Sequence, residues 1–186
     1  RSTQSRSSAA SDVYKRQDDK RAVAEQVGIG ALRYAFLSRD PYGNVVYDPD
    51  SAVSFTGRSG PYIMYTYARG KSVLRKAFGE GEYYGGGGVV EDMPSSVDLT
   101  EEERAVLLRL LMYPETVLAS ASRYAPNILA DYLYEVAREF NYFYEKQTIN
   151  KAEGDVRAFR LALTVMMTKV IGDGLRILGI EPLERM

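Results

Sequence analysis

Ser59-Gly60-Pro61-Tyr62-Ile63-Met64-Tyr65-Thr66-Tyr67-Ala68-Arg69-Gly70-Lys71-Ser72-Val73-Leu74-Arg75-Lys76-Ala77-Phe78-Gly79 reads as a helix with both ends marked. Proline is favoured at the first helical position, where its missing N–H leaves no bond unmade, and Gly79 supplies the stop. Tyr62, Tyr65 and Arg69 fall at i, i+3 and i+7, so two phenol rings and a guanidinium share one face. Lys71, Arg75 and Lys76 follow on the same helix, and within 58–80 the five cations Arg58, Arg69, Lys71, Arg75 and Lys76 oppose only Glu80. Phosphates want cations and unstacked bases want flat π surfaces, so this segment suits single-stranded nucleic acid, each base stack contributing roughly 1 to 3 kcal/mol. The residues alone leave open a plainer alternative, with the rings packed inside a bundle and the cations forming a solvated face.

Downstream, residues 79–97 carry Gly79, Gly81 and Gly85 to Gly88 and end on Met93-Pro94-Ser95-Ser96. This is read as a linker, because it lacks the Gly-Lys-Ser/Thr ending and the strand-to-helix setting of a phosphate loop. Thr100 and Glu103 then form a capping box ahead of Val106, Leu107, Leu110 and Leu111. Pro114 breaks and restarts that helix. Pro126 opens a long one carrying Leu129, Tyr132, Leu133, Val136, Ala137, Phe140, Phe143 and Tyr144, and a last helix runs from Asp155 to about Ile171 or beyond. Residues 60–186 are therefore expected to form an all-α bundle of about five helices.

Upstream, Ala22, Val23, Val27, Ile29, Leu32, Ala35 and Phe36 recur at helical steps from Asp18 to about Ser38, with Gly28 and Gly30 as weak points. Arg39 to Asn44 is turn-rich, Val45-Val46-Tyr47 is a short extended run, and Asp48-Pro49-Asp50 reads as a turn or helix start. Residues 1–17 are rich in Ser and poor in apolar side chains, so they are expected to be a disordered or non-native tail outside the fold. Within them, Ser7 to Gln17 resembles a translated sequencing-adapter junction, which would make the chain a truncated gene product.

The composition narrows the chemistry. With 186 residues, 45% of them apolar, the chain can bury a real core, and its net charge of -1 argues against an all-over basic nucleic-acid binder while permitting a local patch. Zero Cys and zero His exclude thiolate metal sites, Cys nucleophiles and every Ser-His triad. No stretch approaches the roughly 18 apolar residues of a membrane span, so a soluble, cytoplasmic protein without membrane partners is expected. Glu101, Glu102 and Glu103 look like a carboxylate cluster, but at a helix start they complement the macrodipole, and no metal is assigned to them. Met166 and Met167 read as core filler. Tyr132 and Tyr134 lie on different helix faces, with at least one packing, and Asp131 is expected to pair with a cation that the sequence does not name.

The string Ser54-Phe55-Thr56-Gly57-Arg58-Ser59-Gly60-Pro61-Tyr62-Ile63-Met64-Tyr65-Thr66-Tyr67-Ala68-Arg69 resembles the family signature of arginyl-tRNA synthetases. Val27 to Tyr34 resembles a late catalytic-domain helix of that family, Leu129 to Glu135 and Phe140 to Tyr144 resemble its bundle, and Gly174 to Met186 resembles its ending. The resemblance implies that residues 18–59 are the tail of an α/β class I catalytic domain with its junction, and that 60–186 are the helical anticodon-binding domain. It further implies that the full-length enzyme joins arginine to its tRNA using ATP and magnesium. The histidine-containing HIGH motif and the Lys-Ser-rich loop have no counterpart here, so this chain is expected to hold no cofactor and to be catalytically silent by itself.

Recognition of the tRNA is what the resemblance leaves to this chain. Arginine codons all have a middle G, so every arginine tRNA carries C at the middle anticodon position. Carried over by position, Tyr62, Tyr65, Arg69, Tyr144 and Met186 would form the pocket for that base: Tyr62 and Tyr144 giving ring contacts, Met186 packing its thioether, and Arg69 holding phosphate or base edge. Lys71, Arg75 and Lys76 would meet tRNA phosphates, and DNA is not an expected partner. Two other classes stay open on the residues: the anticodon domain of a related class I synthetase such as the cysteinyl enzyme, and a helical protein-protein interaction module.

Overall fold

The computed structural model describes the backbone of residues 3–44, 47–79 and 97–186, and side chains from Lys20 onward within those ranges. Seven helices follow in order: α1 (Thr3–Leu37), α2 (Pro49–Ala52), α3 (Gly60–Phe78), α4 (Glu101–Leu111), α5 (Tyr113–Ser122), α6 (Pro126–Lys146) and α7 (Gly154–Ile177), with no strand among the described residues. The expected glycine-rich linker falls almost wholly outside the described residues, as do Val45 and Val46 of the expected extended run. Its third member, Tyr47, stacks on Phe36 of α1 at 5.6 Å with the rings 7° apart.

Helix ends follow the chemistry of their residues. The Ser59 hydroxyl accepts from the Tyr62 N–H at the start of α3, and Gly79 closes that helix at φ 89°, a backbone setting that a side chain would strain. The Thr100 and Glu103 capping box is complete, each side chain accepting the other residue's backbone N–H. Pro114 sits in the first turn of α5, directly after the break at Met112. One boundary differs from the sequence-based expectation: α1 begins at Thr3, not near Asp18. No Gly precedes Gly28 and no Pro precedes Pro41, so nothing in the Ser-rich stretch interrupts a helix once the packed part downstream has nucleated it.

Helix α3 packs against α1, α6 and α7, and α6 in turn packs against α1, α3, α4, α5 and α7. The apolar face of α3, Ile63, Met64, Tyr67 and Leu74, meets Leu133, Phe140 and Phe143 of α6 and Leu163, Met167 and Ile171 of α7, all essentially without solvent exposure. Burying each such side chain stabilises the fold by roughly 1.5 to 3 kcal/mol. Tyr34 of α1 is sealed in this core, its hydroxyl donating to the Ala130 carbonyl at 3.2 Å, and burial pushes its phenol well above the ordinary tyrosine range. Met167 is core, as the sequence suggested, and Tyr132 is buried with its hydroxyl donating to the Arg109 carbonyl at 2.9 Å.

One close approach is between α3 and α7. A Cβ placed on Gly70 would lie 2.4 Å from the Thr168 methyl and 2.6 Å from the Met167 methyl. A second lies where α1 crosses α3: a Cβ on Gly30, expected only to weaken a helix, would lie 2.7 Å from the Met64 sulfur. Gly70→Ala should therefore destabilise the chain by about 1 to 2 kcal/mol in thermal or urea unfolding, overpacking outweighing the roughly 1 kcal/mol that alanine gains in helix propensity. A net gain in stability would mean that α3 and α7 are not held this close.

Candidate nucleic-acid interface

Helices α3 and α6 run side by side in the same sense, so that Tyr62 meets Tyr134, Thr66 and Arg69 meet Asn141, and Arg69 meets Tyr144. Where α6 ends, the two helices, the loop 147–151 and the last residues of the chain enclose an open groove of about 610 Å³. Tyr65 and Arg69 form one wall, Tyr144 and the loop another, and Glu184, Arg185 and Met186 the third, with Arg75 and Lys76 further along α3.

Arg69 organises the groove. Its guanidinium carbon lies 4.9 Å from the ring centre of Tyr65 and 4.9 Å from that of Tyr144, a double cation–π contact. Its Nη1 donates to Asn141 Oδ1 at 2.7 Å, Asn141 Nδ2 reaches Thr66 Oγ1 at 2.8 Å, and the Thr66 hydroxyl donates to the Tyr62 carbonyl at 2.9 Å. This chain of bonds fixes a planar cation between two rings that remain 40% and 38% exposed for Tyr65 and Tyr144. The rings can therefore accept a further flat group. Met186, 40% exposed, adds a soft apolar edge.

The loop wall is held from beneath by Arg160 of α7, which is almost completely buried. Its Nε donates to Glu103 Oε1 at 2.6 Å, Nη1 to the Thr148 carbonyl at 2.8 Å and Nη2 to Gln147 Oε1 at 2.9 Å. Asn150 Nδ2 donates to the Val73 carbonyl at 3.2 Å, tying the same loop to α3. The third wall rests on a tail in which Leu178, Ile180 and Pro182 are buried. Arg33 of α1 donates to the Gly179 carbonyl, and Glu184 pairs with Lys71. The groove lining carries Arg69, Arg75, Lys76, Lys151 and Arg185 against the single acidic side chain of Glu184, so it suits an anion joined to a flat ring system.

Of the expected pocket residues, Tyr65, Arg69, Tyr144 and Met186 come together and Tyr62 does not. Tyr62 shares their helix face but sits two turns before Arg69, beyond the end of the groove, where its half-buried ring packs on Tyr134 at 5.7 Å. Arg58 covers the Tyr134 ring at 5.3 Å and pairs with Asp131 at 3.1 Å, supplying the cation that Asp131 was expected to find. Burial raises the Asp131 carboxyl above the ordinary carboxylate range, with Arg58 acting in the opposite sense.

Among the expected phosphate contacts, Arg75 and Lys76 line the groove, whereas Lys71 does not. Lys71 is two residues from Arg69, about half a turn around the helix, and its ammonium is buried under the tail, 2.8 Å from Glu184 and 5.8 Å from the Tyr67 ring centre. The sequence reading missed Asn141, whose signal was a lone amide between Phe140 and Phe143 on an otherwise apolar stretch of α6. It also missed the loop 147–151 and Glu184, whose roles depend on long-range packing.

The Arg69–Asn141 bond is testable on the chain without any ligand. A double-mutant cycle over Arg69→Met and Asn141→Leu, read by urea unfolding, should give a coupling of about 1.5 to 3 kcal/mol, the range for a hydrogen bond to a charged group. Additive effects would show that the bond does not form in solution.

The groove falls inside a recognised domain. Residues 63–186 match the family described as the DALR anticodon binding domain. The chain is 35% identical over 173 residues to an arginine-tRNA ligase of Porphyromonas gingivalis, across 92% of this chain and 28% of that protein. It is 40% identical over 173 residues to the arginine-tRNA ligase of Alteromonas mediterranea, across 91% and 28%. It thus spans about 28% of the length of the curated relatives it matches. Among solved structures, the Thermus thermophilus arginyl-tRNA synthetase superposes with a TM-score of 0.75 at 32% identity, across 88% of this chain and 27% of that one. The Plasmodium falciparum arginyl-tRNA synthetase, 21% identical, shares the fold with a TM-score of 0.76 across 96% and 30%. With the groove from Tyr65 to Met186 lying wholly within the matched residues, this chain belongs to the DALR anticodon-binding domain family.

Proposed function

We propose that this chain binds the anticodon loop of arginine tRNAs and receives the middle anticodon base, always C, in the groove between α3, the end of α6 and the tail. The observation that carries the reading is the Arg69 guanidinium held between two half-exposed tyrosine rings in a basic groove closed by Met186. An unstacked cytosine would lie against the Tyr144 or Tyr65 ring and the Met186 thioether, while Arg69, fixed by Asn141, offers N–H donors to the base's acceptor atoms or to a phosphate. Arg75 and Lys76 would meet the flanking backbone. The matched relatives being arginine-tRNA ligases favours arginine tRNA over the tRNA of another class I enzyme, and also over a protein partner.

The same reading gives ATP-dependent arginylation to a full-length ligase working in the cytoplasm with translation. The groups that bind ATP, arginine and magnesium are then assigned outside these 186 residues, and the chain alone should show no arginine-dependent pyrophosphate exchange.

Binding of anticodon stem-loops that differ only at the middle base tests the proposal. The loop with C should bind more tightly than loops with A, G or U. Tyr144→Ala should weaken the cognate complex roughly 5- to 150-fold, the loss of one base stack, with little change in melting temperature because the ring is half exposed. Equal affinity for all four middle bases, or affinity unaltered by Tyr144→Ala, would contradict it.

A further inference from the structure

Lys71 is a buried cation that the proposed recognition does not use, and it pairs with Glu184, a residue of the groove's third wall. Its Nζ is 2.8 Å from Glu184 Oε1, with the lysine side chain 4% exposed and the glutamate 57%. One turn along α3, Arg75 Nη1 donates to the Glu184 carbonyl oxygen at 3.4 Å. Two cations of one helix face thus grip both the side chain and the backbone of one tail residue. Upstream, the tail is fixed by Arg33 on the Gly179 carbonyl and by burial of Ile180 and Pro182. Between Pro182 and Met186, Leu183 packs partly buried against the core and the Lys71 ammonium holds Glu184.

We infer that Lys71 and Glu184 form a latch whose work is to position Met186 in the groove, making both of them positioning residues for base recognition. This rests on the anticodon reading above and deepens it. An ammonium buried under the tail strongly prefers to keep its carboxylate, because an unpaired buried charge is costly. The preference is transmitted to the tail backbone, and Met186, two residues further on and 40% exposed, inherits a fixed position. The latch also explains how a half-exposed terminal methionine contributes to recognition at all. A freely moving side chain would lose on ordering much of what its contact with a base gains.

The test uses Lys71→Met, which replaces the ammonium by an apolar group of similar length, together with deletion of Met186, singly and combined. With the methionines labelled at their methyl carbons, six in the parent chain and one more in Lys71→Met, and the Met186 signal assigned in each by its deletion, Lys71→Met should sharpen that signal into the line of a mobile side chain. In cognate stem-loop binding, Lys71→Met should cost about fivefold to tenfold in the intact chain and less than twofold in the chain lacking Met186, and the dependence of affinity on salt should stay unchanged. If Lys71→Met unfolds the chain by circular dichroism, Glu184→Gln is read in the same way. Equal losses in both backgrounds with a shallower salt slope would make Lys71 a phosphate contact, and an unaltered Met186 signal would remove the latch. A sharpened Met186 signal in a chain that binds no arginine stem-loop would keep the latch and overturn the anticodon reading.

Discussion

The approach of α3 to α7 at Gly70 is the constraint on which the rest of the molecule depends. With hydrogen in place of a side chain, α3 settles against Thr168 and Met167 at a distance that a Cβ would not tolerate. That contact fixes both the position and the rotation of α3. Arg69, the preceding residue, is turned about 100° around the helix from Gly70 and so faces α6. Lys71, turned the other way, is carried beneath the tail. One short contact in the core therefore decides which cation faces the groove and which becomes buried.

The groove itself joins an interior polar network to an exposed aromatic surface. Asn141 and two rings hold Arg69, and Thr66 in turn holds Asn141, so the buried amide has a partner at both its oxygen and its nitrogen. Arg160 does the same for the opposite wall. Its three donor groups reach Glu103, Thr148 and Gln147, which links the start of α4 to the loop after α6 and holds that loop against α7. Rigid support of this kind lowers the ordering cost that a bound nucleotide would otherwise meet.

Most of the frame was legible in local sequence. Pro61 and Gly79, the Thr100–Glu103 box, Pro114 and Pro126 each mark a helix end by chemistry confined to a few residues, and each end stands where that chemistry puts it. Helical spacing placed Tyr62, Tyr65 and Arg69 on one face of α3. The carry-over by position put Tyr62 in the pocket, but a shared face does not fix where along the helix a groove stops, and Tyr62 packs on Tyr134 outside the groove lining. The run of cations suggested a phosphate contact at Lys71, but a tail more than a hundred residues later covers that side of α3. The helical backbone from Thr3 was missed for another reason: a Ser-rich composition argues against a core but does not forbid a helix continued outward from a packed one.

The central claim is that a base enters between the α3 and α6 tyrosines beside Met186. Photocrosslinking tests it directly, with an arginine anticodon stem-loop carrying 5-iodocytidine at the middle position and the attachment site mapped by mass spectrometry. The account predicts attachment to Tyr65, Tyr144 or Met186, suppressed by an excess of unlabelled cognate stem-loop. Attachment to Tyr62, to α4 or α5, or to no defined residue would contradict it.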